Sequence, residues 1–158
     1  MPSFRQNTLN TPRPGESFTA SRTFSRKDVA LFGDISRDYN PVHYSTDFAR
    51  AKKLDGPICH GLLVASLLTE VGGQLGWLAS EMRFSFLKPV YPNDTIHCTM
   101  TIDAIDERGR AGAEAVFTNQ HDVVVLKARL EGILPTNTER KLMKNLPTLD
   151  DPPPAADL

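Results

Sequence analysis

The stretch "GLLVASLLTEV", residues 61–71, is apolar on almost every side at helical spacing. Leu62, Leu63, Val64, Ala65, Leu67, Leu68 and Val71 leave only Ser66, Thr69 and Glu70 as polar breaks, so no face is set aside for water. Such a helix is buried on nearly every side, and Gly72-Gly73 offers its stop. A chain of 158 residues can surround it only with a sheet. The fold therefore turns on whether strands follow.

They do. Downstream, "SEMRFSFLK", "TIHCTMTIDAI", "RAGAEAVFTNQ" and "DVVVLKARLEGI" each read as strands, separated by the turn-like "YPND", "DERG" and "NQHD". Four strands in succession suggest antiparallel pairing. In the second, Ile96, Cys98, Met100, Ile102 and Ala104 alternate with Thr95, His97, Thr99, Thr101 and Asp103, the pattern of a sheet with one dry face and one wet one. The dry face is expected against the Gly61 helix.

Upstream, "SFTASRTF" alternates Phe18, Ala20 and Phe24 with polar neighbours, as a half-buried strand does. Ser25 followed by Asp28 has capping-box spacing and opens a helix with Val29, Phe32 and Ser36 on one face and Leu31 and Ile35 beside it. That helix should end near Asp38, where a carboxylate faces the negative end of the macrodipole. In "ISRDYNPVHY", residues 35–44, Pro41 forbids a continuous helix and forces a sharp turn between Asp38 and His43. Two readings of the pair stay open: a turn-capping acid beside an ordinary histidine, or an acid/base pair that moves protons. A short helix capped by Ser45 follows, broken by "DGP" at residues 55–57.

The ends have a different character. Residues 1–15 read as a flexible arm, 16–134 as a single domain, and 135–158, charged and then rich in Pro and Asp, as a tail, disordered or draped on the surface. With 40% hydrophobic and 23% charged residues and a net charge of −1, this is a globular domain without the basic footprint of a nucleic-acid binder. There is no signal-like N-terminus and no stretch long enough to span a bilayer, so a soluble, cytoplasmic protein is expected. Cys59 and Cys98, the two cysteines, read as core packing. His97 and Cys98 point to opposite faces of a strand and so form no local metal pair, and His121 falls in a turn. No spacing matches a zinc site, a P-loop or a dinucleotide fingerprint.

A strand, a helix, a turn, a buried helix and four strands make an α+β layout in which a curved antiparallel sheet wraps one helix, and this resembles the hot-dog fold. Within it, "SRDYNPVHYSTDFARAKKLDGPICHGLLVASLLT", residues 36–69, resembles the signature of the MaoC-like (R)-specific enoyl-CoA hydratases: Asp-x-Asn-Pro-x-His, then His-Gly and a buried helix. "RFSFLKPVYPND", residues 83–94, resembles the family's next landmark, and the likeness covers Phe18 to Ile133.

The resemblance implies hydration of a trans-2-enoyl-CoA to the (R)-3-hydroxyacyl-CoA, or the reverse dehydration, with no cofactor beyond the CoA of the substrate. It assigns Asp38 and His43 as the acid/base pair holding one water, Asn40 and Pro41 as the turn that keeps them together, and the Gly61 N–H as donor to the thioester oxygen. A helix N-terminus suits that last role, since its N–H groups are unpaired and glycine permits close approach. His60 is read as holding the Gly61 turn or touching substrate. Thr69 is read as a hydroxyl near the pair or as one bonded back into its own helix. Arg37 stands where many relatives have Gly, and its cation would bind a CoA phosphate or depress Asp38. The connection "VGGQLGWLASEM" is shorter than usual. Glu70 in an apolar helix needs a partner or a job; as a catalytic carboxylate it would make the protein an acyl-CoA thioesterase, while a non-catalytic acyl-CoA binder is the other alternative. Relatives pair edge to edge, so a homodimer is expected, with no nucleic-acid or membrane partner.

Overall fold

The computed structural model describes residues 10–145. The element order is β1 (Ser17–Thr23), α1 (Arg26–Ser36), a single 3-10 turn (Pro41–His43), α2 (Thr46–Ala51), α3 (Gly61–Leu75), β2 (Leu78–Phe86), β3 (Thr95–Ile105), β4 (Arg110–Thr118), β5 (Val124–Ile133) and α4 (Asn137–Met143). The strands form one five-stranded sheet in the order β1-β3-β4-β5-β2, and every neighbouring pair is antiparallel. Only β3, β4 and β5 follow one another as a meander. β2 does not pair with β3, as simple succession suggests, but crosses to the far edge beside β5.

Helix α3 lies against the apolar face of this curved sheet. Its Leu63, Val64, Leu67, Leu68, Val71 and Leu75 are buried together with Phe24, Ile96, Met100, Ile102, Phe117, Leu126 and Leu130. Each such side chain contributes roughly 1.5–3 kcal/mol on burial, so tertiary packing rather than intrinsic propensity holds the helix. The Gly72-Gly73 stop is overturned: α3 runs through both glycines and ends at Gly76, whose left-handed conformation lets its N–H reach the Gly72 and Gly73 carbonyls. Nor is α3 buried all round. Leu62, Thr69 and Gly73 are exposed and Ser66 is only half-buried, one stripe at helical spacing.

Along β3 the dry and wet alternation holds through Ile102. A register shift between Ile102 and Ala104 then breaks it, so Ala104 is exposed rather than in the core. Ser25 caps α1, accepting from Asp28 N–H while the Asp28 carboxylate accepts from Ser25 N–H, a complete capping box. On α1 it is Val29 and Gly33 that are buried; Leu31 and Ile35, expected beside the inner face, point to water. Cys59 and Cys98 are buried free thiols, and burial pushes each up to about 12. Glu70 has its partner in Arg22 of β1, 2.7 Å away.

The described parts of both ends are held against the domain. In the expected arm, Pro12 is buried and Gly15 N–H donates to the Ile102 carbonyl. In the expected tail, Thr136 and Glu139 form a second capping box at the start of α4. Arg140 of that helix is buried and donates to the Asn10 carbonyl. The remaining expectations, an arm over 1–9 and a tail over 146–158, lie outside the described residues.

Candidate active site

The loop between α1 and α2 is folded by its own side chains. Ser36 hydroxyl donates to the Phe32 carbonyl and accepts from Asp38 N–H. Arg37 takes the left-handed conformation that ends α1. Asp38 Oδ1 accepts from Asn40 N–H at 3.1 Å, and Asn40 Oδ1 accepts from Val42 N–H at 3.2 Å, two successive Asx turns. Pro41 then opens the 3-10 turn at the position where its missing N–H matters least. The result returns His43 beside Asp38.

His43 Nδ1–H donates to the Ile58 carbonyl at 2.9 Å. This fixes the tautomer and leaves Nε2 facing Asp38 Oδ2 across 3.7 Å. The imidazole is nearly buried, 8% exposed, whereas the Asp38 side chain is 49% exposed. The two readings of Asp38 are therefore compatible: one carboxylate oxygen caps the turn while the other faces His43. The 3.7 Å gap exceeds a direct hydrogen bond and lets one water oxygen sit within reach of both groups.

The pair opens into a cavity of about 700 Å³, with Gly61, Leu62 and Val64 of α3 on one side and Phe86, Leu87 and Val90 on another. Lys88 is the cation among its lining residues. Cys59 N–H donates to the Val90 carbonyl and Ile58 N–H to the Val42 carbonyl, tying the loop that bears Asp38 and His43 and the segment after β2 to the start of α3. Gly61 is the first residue of α3, and the N-cap residue His60 makes no side-chain cap there, so the N-terminal donors are free of that capping bond and available to a ligand. A Cβ on Gly61 would lie 2.6 Å from the Phe86 ring. Cys59 lines the same cavity, but a thiol at about 12 stays protonated and is a poor nucleophile.

The sequence-expected residues separate into two groups. Asp38, His43, His60 and Gly61 line the cavity, His60 with its ring against His43 at 3.8 Å between centroids, while Asn40 is exposed outside the lining and its side chain holds the turn between the pair. Arg37 and Thr69, expected at the substrate, lie outside the cavity lining. Arg37 is exposed, and the Thr69 hydroxyl donates back to the Ser66 carbonyl of its own helix. Glu70 is likewise absent from the lining. Tyr44, Ile58 and Phe86 were not singled out by the sequence. Ile58 acts through its backbone, which no side-chain pattern reveals, whereas Phe86 stood in the aromatic strand already noted. Among the described residues, Asp38, His43 and His60 each place a metal-capable atom within 4.8 Å of the others. The imidazoles, however, overlap with planes 31° apart, so their in-plane lone pairs do not converge on one point, and His60 Nε2 is already bonded to the Asp38 carbonyl.

A curved five-stranded antiparallel sheet around a buried helix, with the polar site at that helix's N-terminus, defines a hot-dog protein. The sequence matches the model of the MaoC like domain over residues 9–125, and the chain belongs to this hydratase/dehydratase family. It is 32% identical over 97 residues to an (R)-specific enoyl-CoA hydratase of Aeromonas caviae, covering 59% of this chain and 72% of that one. A second (R)-specific enoyl-CoA hydratase, of Rhodospirillum rubrum, is 30% identical over 97 residues, covering 59% and 67%. The solved (R)-hydratase from A. caviae involved in PHA biosynthesis superposes with a TM-score of 0.74 at 27% identity, covering 80% of this chain and 99% of that one.

Proposed function

We propose that this protein adds water to a trans-2-enoyl thioester of CoA to give the (R)-3-hydroxyacyl thioester, or runs the reverse elimination. The supporting observation is the 3.7 Å separation of Asp38 Oδ2 and His43 Nε2 at the edge of a cavity that Gly61 also lines. One group of the pair takes a proton from the held water as its oxygen bonds to C3. The C2=C3 π electrons move toward the thioester carbonyl, whose oxygen is met by the Gly61 N–H. The other group of the pair, protonated at the start, delivers its proton to C2; the proton taken from the water then passes across the gap from the first group to the second, so the atoms of one water are added and the enzyme returns to its starting protonation.

Glu70, which a thioesterase reading would use, is paired with Arg22 and does not line the cavity. The working form is proposed to be a homodimer, because β2 is an edge strand and Leu62, Leu78 and Phe86 are exposed. Incubating the purified protein with crotonyl-CoA tests the activity. Loss of the enoyl absorbance without free thiol supports hydration; thiol release means a thioesterase, and neither signal means a binder.

A further inference from the structure

His60 is fully buried, yet it makes no contact expected of a group that only closes a helix: it offers no side-chain cap to α3. Its Nε2–H instead donates to the backbone carbonyl of Asp38 at 2.9 Å. A carbonyl only accepts, so the proton of the neutral ring is on Nε2; Nδ1 is buried without a partner. The same ring overlaps His43 at 3.8 Å between centroids and is flanked on another side by Phe32 at 5.1 Å.

Tyr44 completes the arrangement. Its hydroxyl is 3.4 Å from the Asp38 carbonyl and 3.5 Å from His60 Nε2. The hydroxyl occupies the space where Gly33 of α1 would otherwise carry a Cβ, so a glycine on a neighbouring helix makes the notch that admits it.

Resting on the hydration reading above, we infer that His60 and Tyr44 are positioning residues: together they clamp the Asp38 backbone carbonyl, and the His60 ring sets the plane of His43, which fixes the 3.7 Å gap that one water must bridge. The Asp38 side chain is half-exposed and the loop that bears it is held largely by its own Asx turns. Beside the backbone tie from Ile58 to Val42 and the His43 bond to the Ile58 carbonyl, a buried side-chain donor from the start of α3 holds the Asp38 end of this loop to the helix carrying Gly61. Errors of about 1 Å in such a constellation lower turnover about 10²-fold.

Three variants and one spectrum test this in the full chain. His60→Phe keeps a ring but loses the donor, and is expected to lower kcat by about 10- to 100-fold with KM little changed. His60→Gln, whose amide N–H reaches the position of Nε2–H, should recover at least about a tenth of the parental kcat. Tyr44→Phe should show a smaller kcat loss, again without a KM change. A merely structural His60 would instead show kcat falling in step with thermal stability and no advantage of Gln over Phe; that result overturns the inference, as does a Phe variant with parental kcat. Should His60→Phe fail to fold, the Tyr44→Phe comparison remains. Nitrogen-15 NMR of the unmodified protein at pH 8 supplies a readout that needs no substrate. A His60 signal with Nε2 protonated and Nδ1 bare supports the clamp, and the opposite tautomer refutes it. A parental protein inert toward crotonyl-CoA would therefore refute the hydration reading alone, with the tautomer still deciding the clamp.

Discussion

Gly61 carries two demands that single substitutions confound. Its N–H lies at the uncapped start of α3, and its missing side chain gives room to the Phe86 ring, 2.6 Å from where a Cβ would stand. Phe86 is 55% exposed, so the ring can swing outward and Gly61→Ala should fold. Its kcat is expected to fall at least about tenfold, because the added methyl crowds the approach to the N–H. Placing Gly61→Ala in a Phe86→Leu background separates the causes. If displacement of the ring were the whole effect, turnover would return to that of Phe86→Leu alone, and the oxyanion role would be lost; continued loss supports it. For the pair itself, Asp38→Asn and His43→Ala should each lower kcat by at least about 10²-fold in a folded protein. Near-parental turnover in either would remove that group from the mechanism. At this scale the sequence was informative because the chemistry is local: Pro41 forces the turn, and the Asn40 side chain fixes it by accepting from the Val42 N–H two residues on. Of the two readings of Thr69 the structure has the hydroxyl bonded back into its own helix, and Arg37 is exposed outside the lining; spacing does not say which side of a turn or helix a side chain takes.

Within α3, the continuation past Gly72 makes a prediction opposite in sign to a helix stop there. Gly72 is helical and buried, yet a Cβ built on it meets nothing within 4 Å. Gly72→Ala should therefore stabilise by about 0.5–1 kcal/mol, read as a raised urea midpoint at unchanged slope; destabilisation would mean that the glycine is needed for backbone shape. At the start of α1, hydrogen bonds from the Ser25 hydroxyl and backbone N–H hold the Asp28 carboxyl below its ordinary 3.8. A depressed carboxyl contributes stability above its unfolded-state pKa and loses it as pH falls through the folded one. Asp28→Asn should thus destabilise near neutrality, with the difference from parent shrinking below about pH 4; a difference independent of pH would place the effect elsewhere. Local periodicity disclosed these elements well, β3 down to its bounds, since pleat and helix turn act residue by residue. The passage of β2 to the far edge, the bulge before Ala104 and the docking of α4 depend on long-range packing. Only α4 left a missed signal, the Thr136 and Glu139 capping box.

Taken as one molecule, the fold leaves a seam uncovered. The stripe Leu62, Ser66, Thr69 and Gly73 runs along a helix whose other faces are buried, and Leu62 is 59% exposed. β2 is an edge strand of the sheet, with Leu78 73% exposed at its start. Unpaired strand edges invite pairing with another chain, and an identical edge in a two-fold arrangement satisfies both copies at once. Leu62 and Phe86 also line the cavity, so a second copy covering them would close a wall that one copy leaves open and exclude water from the thioester. Sedimentation velocity at micromolar concentration is expected to give a dimer. Leu62→Glu, which sets a carboxylate from each copy into the seam, should shift the population toward monomer and lower turnover together with the loss of mass. A parental chain that sediments as a monomer under these conditions would defeat the dimer, and a monomeric Leu62→Glu with full turnover would show that the second copy contributes nothing to the site.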